Sequence, residues 1–142
     1  MLDQLRSYLS TLDWHEGQPP PVIDFALYFD GNNQEDSIAP NQCGDGRPSI
    51  AEMYLRFQDI SRRPEVERVL VGLHDDWNHE VFAQEFPPAE SIHIYTTASE
   101  ADVELWIAGL HADGAGEGWL YGEPANAPKP SSGYLVYSVS WD

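Results

Sequence analysis

SIHIYTTASEADVELWIAGL, residues 91–110, sets the fold. Ile92, Ile94 and Thr96 alternate with His93, Tyr95 and Thr97, the period of a half-buried strand. Ser99 then offers a side-chain oxygen to a helix N-terminus, and Asp102 stands three residues on, in the first turn. Val103, Trp106, Ile107 and Leu110 follow at i, i+3, i+4 and i+7, one apolar face of a helix running to Leu110. A strand that passes straight into a helix gives the rest of the chain a frame to pack on.

Working outward, Leu2, Leu5, Leu9 and Leu12 predict a helix over 2–12. Pro19-Pro20-Pro21 ends it and enters an extended segment. From Val22 to Asp30, Ile23, Phe25, Leu27 and Phe29 alternate with Asp24, Ala26, Tyr28 and Asp30, which reads as a strand. Ser49-Ile50-Ala51-Glu52 is a capping-box signature, and Ile50, Met53, Tyr54, Phe57 and Ile60 mark the buried stripe of a second helix that Pro64 stops. Residues 65–73, with Val69-Leu70-Val71, read as a well-covered strand. After Leu110, residues 111–118 read as a turn, 119–121 as a short strand and 123–132 as a proline- and alanine-rich loop. Residues 133–141 close the chain as a strand, with Leu135, Tyr137, Val139 and Trp141 on one face. The expectation is an α+β fold over residues 1–142: a single, mostly antiparallel sheet of four to five strands with about three helices packed on it.

A chain of 142 residues with five Trp, seven Tyr and five Phe has ample core for one domain. Its one cysteine, Cys43, excludes an internal disulfide framework. The N-terminus lacks a cationic segment leading into an apolar run, and no stretch is apolar for the length of a bilayer, so the expected location is the cytoplasm.

Charge is the strongest global signal. Twenty-four acids stand against seven basic residues, net −17, with −6 through Arg68 and −11 beyond it, where Lys129 is the lone cation. Such a field repels nucleic-acid phosphates and anionic lipid, and attracts cationic proteins.

Sites for chemistry are thin. The loop from Gly31 begins like a calcium loop at Asp30, but Glu35 replaces the glycine at position six and Asn41 the glutamate at position twelve. Cys43 has Asp45 nearer than Arg47, which opposes thiolate formation. No GxSxG, GxxxxGK[ST] or HExxH is present. His74, Asp76 and His79 make the alternative reading, a small metal-dependent hydrolase, although their spacing matches no metal motif with a mechanism. A further alternative is an accessory subunit that self-associates through the C-terminal strand as a sheet edge. What remains is surface. In HDDWNHEVFAQEFPP, residues 74–88, Asp75, Asp76, Glu80 and Glu85 surround Trp77, and the loop acids Glu35, Asp36 and Asp45 form a second patch. Aromatic anchors ringed by carboxylates suit a basic protein partner.

With IHIYTTASEADVELWIAGL, GEGWLYGEP and a terminal WD, residues 22–142 resemble the small acidic immunity proteins of bacterial polymorphic and contact-dependent toxin systems. That resemblance implies a non-enzymatic inhibitor, with no cofactor, that occludes the active site of a cognate cationic toxin domain such as a nuclease. Asp75, Asp76, Glu80, Glu85, Glu35, Asp36 and Asp45 would then pair with the partner's Lys and Arg, around Trp77 as anchor.

Overall fold

The computed structural model describes residues 2–42 and 46–141. Its centre is one antiparallel five-stranded sheet in the order β1-β2-β3-β5-β4. The strands are β1 (Val22–Asp24), β2 (Val66–Leu73), β3 (Ala89–Thr96), β4 (Gly114–Glu117) and β5 (Leu135–Ser140). Among the described residues four α-helices accompany it: α1 (Leu2–Ser10), α2 (Phe25–Phe29), α3 (Ile50–Ser61) and α4 (Glu100–Trp106). The fold is α+β, as the alternation and helical stripes required.

Period-two alternation sorts the sheet into two faces. Ile23, Val69, Val71, Ile92, Ile94 and Val139 join the main core with helix residues Leu5, Leu9, Met53, Phe57, Val103 and Trp106. Val22, Leu70, Tyr95 and Val136 face the other way and are covered by Trp119 and Ala127. Residues 118–134 therefore form a strap over the helix-free face. Tyr95 ties it down by donating to the Pro128 carbonyl at 2.7 Å.

Four local expectations fail. Residues 22–30 are not one strand: only Val22–Asp24 pairs with β2, and Phe25–Phe29 is helical. The Asp24 carboxylate accepts from the Ala26 N–H at 3.1 Å, so an N-cap breaks the alternation after three residues. Residues 114–117 are the edge strand β4 instead of a turn, whereas Trp119–Tyr121 forms no strand. Helix α4 stops at Trp106 and not Leu110; Ile107 caps it, and Gly109 turns the chain with φ +87°. Ser99 and Asp102 do form the full reciprocal capping box.

Side chains close both sheet edges. Asn126 accepts from the Val22 N–H at 3.0 Å and donates to the Val22 carbonyl at 2.7 Å, acting as one residue of a further strand. On β4, Glu104 accepts from the Ala115 N–H at 2.9 Å. The C-terminal strand β5 lies between β3 and β4, so it is not the edge that self-association through that strand requires.

Candidate functional site

Residues 74–88 leave β2 and return as β3 through a series of tight turns: Trp77 N–H to His74 O at 3.0 Å, His79 N–H to Asp76 O at 2.9 Å, Phe82 N–H to His79 O at 2.9 Å. Both histidines are used locally. His74 Nδ1 accepts from the Asp76 N–H at 3.0 Å, and His79 Nδ1 accepts from the Val81 N–H at 3.2 Å, capping the 3-10 turn Glu80–Phe82. Among the described residues no three His, Cys, Asp or Glu side chains converge where a metal ion would sit, so His74, Asp76 and His79 are not gathered into a ligand set.

Trp77 is not the displayed anchor expected of it. It is 7% exposed, belongs to the main core, and meets Trp14 edge-on with ring centroids 5.4 Å apart. Flanking polar residues misled the reading, because a turn directs one residue inward while its neighbours face water. The acids around it are on the surface: Asp75, Asp76, Glu80 and Glu85 are all exposed. Asp45 and Cys43 lie outside the described residues.

The second acidic loop is stitched to the first. Ile38 bridges to Ala89 in parallel, Ala39 N–H donates to Ala89 O, and Ala89 N–H donates to Ser37 O, each at 2.8 Å. Gln34 accepts from the Phe86 N–H at 2.6 Å. The buried Tyr28 hydroxyl donates to Ser37 O at 3.1 Å and Pro87 O at 2.6 Å, and burial pushes its pKa up, which keeps it a neutral donor. Asp36 thus stands, exposed, on a loop bound to the one that carries Glu80 and Glu85.

The two cations of this region are turned inward. Arg6 donates to the Phe82 and Glu85 carbonyls and so braces the turn from below. Arg47, its side chain 2% exposed, pairs with Glu35 at 3.2 Å. Glu35 also accepts from the Ile50 N–H at 3.0 Å, at the start of α3, so it pins its loop to the helix. Of the second patch, Asp36 is the described acid whose carboxylate stays at the surface without such a task. Arg56 is likewise engaged, by the Trp106 and Ala108 carbonyls on the α3–α4 side.

Beside the 74–79 turn is a groove of about 440 Å³, lined by Trp14, Glu16, Pro19, Asp75, Asp76 and Tyr121 among others, with no Lys or Arg. Its walls come from three separate segments, and Trp14 is fixed by donating its indole N–H to the Pro19 carbonyl at 3.0 Å.

Under the strap lies a polar cluster that sequence reading did not single out. His93 Nδ1 is 2.7 Å from Ser138 Oγ, which is 2.5 Å from the Gly118 carbonyl. A carbonyl can only accept, so Ser138 gives it its proton and accepts from His93 Nδ1–H. His93 Nε2 is then left to accept from Ser91 Oγ at 3.1 Å. Burial pushes His93 down to about 3, so the ring is neutral. Trp119 covers it at 4.6 Å, and the adjoining space is about 20 Å³, room for a water and not for a substrate. Gly72 completes the slot: a Cβ there would stand 2.2 Å from Ser91 Oγ. The polarity matches a serine and its base, but the enclosure makes the cluster structural.

Comparison with known proteins adds a lineage. The family model for the uncharacterized protein YfbO family matches residues 2–139. The chain belongs to the YfbO family. The uncharacterized protein YfbO of Escherichia coli (strain K12) is 32% identical over 104 residues, covering 71% of this chain and 68% of that protein. No solved structure matches. The YfbO match runs from α1 into β5, so it includes both acidic loops, the groove and the strap. No helix among the described residues of this YfbO-family chain is long and apolar enough to cross a membrane.

Sequence reading thus found Asp75, Asp76, Glu80, Glu85 and Asp36 as surface acids. Trp14 stands out in the sequence as an aromatic beside an acidic stretch, whereas Glu16 and Tyr121 were missed as its groove partners. The signal available for them was weak: aromatics next to Gly and Pro in irregular segments, at positions 14–21 and 119–124.

Proposed function

We propose that this YfbO-family chain is a non-enzymatic binding protein that captures a cationic protein partner and covers that partner's working surface. A toxin domain such as a nuclease, the partner the immunity-protein resemblance implies, is the specific case. One observation carries the reading. Two acidic loops are joined into a single surface with Asp36, Asp75, Asp76, Glu80 and Glu85 exposed, while Arg6 and Arg47 are drawn beneath it onto carbonyls and Glu35. Turning the local cations inward leaves carboxylates as the charged groups that an arriving partner can touch, and the net negative field speeds encounter and selects by charge. The capped sheet edges disfavour capture by strand addition, so side-chain recognition by the loops is the mode that fits. A cytoplasmic site of action goes with this reading.

The test is kinetic. Asp75→Lys with Asp76→Lys, both on an exposed turn, should slow association with the partner by at least about tenfold at low salt and flatten its ionic-strength dependence. An unchanged rate in stopped-flow mixing would contradict the assignment.

A further inference from the structure

We infer that the groove between Trp14, Tyr121 and the 74–79 turn is a socket for one arginine side chain of the partner. The inference deepens the cationic-partner reading and rests on it. The groove's shape and lining favour guanidinium over ammonium. Its volume, about 440 Å³, admits a long side chain together with water. Two flat rings line it: Trp14, held by the Pro19 carbonyl and backed edge-on by Trp77, and Tyr121, 67% exposed. Planar guanidinium stacks on such rings, whereas compact, strongly hydrated ammonium gains less there. Three carboxylates, Glu16, Asp75 and Asp76, share the lining, and no Lys or Arg does. A carboxylate can take a guanidinium in a two-point, fork-like contact that a lysine cannot reproduce.

The walls are also set in advance. Gln18 accepts from the His15 N–H at 2.8 Å, and the Gln18 N–H returns to the His15 carbonyl at 3.1 Å, closing the turn that carries Glu16. Asp76 stands on a turn fixed by His74 Nδ1. A preformed socket avoids much of the ordering cost of binding. Trp77, buried behind Trp14, serves as a support for the socket wall and touches no partner.

Titration of the full chain, without partner, with blocked arginine, blocked lysine and blocked citrulline tests this, read by amide and indole NMR shifts at constant ionic strength. Blocked arginine should give saturable shifts confined to the Trp14 indole N–H and the amides of Gly17, Asp76 and Tyr121. Blocked lysine should bind at least about threefold more weakly, and citrulline, of the same shape but uncharged, should not saturate. Asp75→Asn with Asp76→Asn should abolish the arginine response, the same spectra showing that the fold is kept. Absence of saturable shifts, equal response to lysine or citrulline, or an unaltered response in the double variant would overturn the socket. If the socket fails while charge reversal still slows partner association, the socket alone falls. If charge reversal has no effect either, the underlying reading falls with it.

Discussion

His93 sits where a charge would have no water, with both ring nitrogens already committed to serines. Its pKa of about 3 in the fold compares with about 6.5 for an open imidazole, so between these values the unfolded chain binds the proton and the folded chain does not. Stability from this residue is therefore complete at neutral pH and is lost as pH falls through that window. Replacing it with Gln removes the titration. The gap in unfolding free energy between wild type and His93→Gln should shrink by about 2–3 kcal/mol from about pH 7 to about pH 4.5. Denaturant titrations at both pH values would show it, and a constant gap would mean that His93 is not enclosed as described. In the sequence His93 was one of the residues alternating along a strand; Ser91, two places before it, was visible, but Ser138 and the covering Trp119 come from distant segments. Trp77 shows the reverse case. Its sequence neighbours are all polar, and burial followed from tertiary packing on Trp14.

Elements with many repeats of their period were legible. β3 and β5 alternate over eight and six residues, β2 announces itself by the continuous apolar run Val69-Leu70-Val71, and α3 carries its stripe over twelve. Short elements were not. Five residues of α2 cannot display a 3.6 period, so Phe25–Phe29 was absorbed into the preceding alternation. Gly114–Glu117 has no large side chain to alternate, and it becomes β4 only because β5 offers it a partner. Edge closure was equally invisible, since Asn126 and Val22 are far apart in sequence and meet through the strap. Asn126→Ala leaves the Val22 N–H and C=O without that partner and should cost about 1–3 kcal/mol. An unchanged denaturation midpoint would show that the strap does not hold the edge.

At the scale of the whole molecule, the −17 charge was plain from composition, and its use was not. Composition cannot say that cations are drawn inward beneath one surface, nor that two loops distant in sequence become neighbours through Tyr28, whose hydroxyl reaches Pro87 59 residues on, and the Ile38–Ala89 bridge. The 74–88 loop lies where β2 ends and β3 begins, whereas α4 starts beyond the opposite end of β3. That separation supplies an internal control of equal charge: Glu100 and Glu117, both exposed, bear on Tyr137 and not on the acidic loops.

The most direct measurement is affinity capture from lysate of the source cell with three baits: wild type, Asp75→Lys with Asp76→Lys, and Glu100→Lys with Glu117→Lys. One basic protein should be retained at near-equimolar amount by wild type and by the Glu100/Glu117 variant, released as salt is raised, and lost from the Asp75/Asp76 variant. Equal retention by all three baits, or recovery of bait alone from wild type, would contradict capture of a cationic partner by the acidic loop surface.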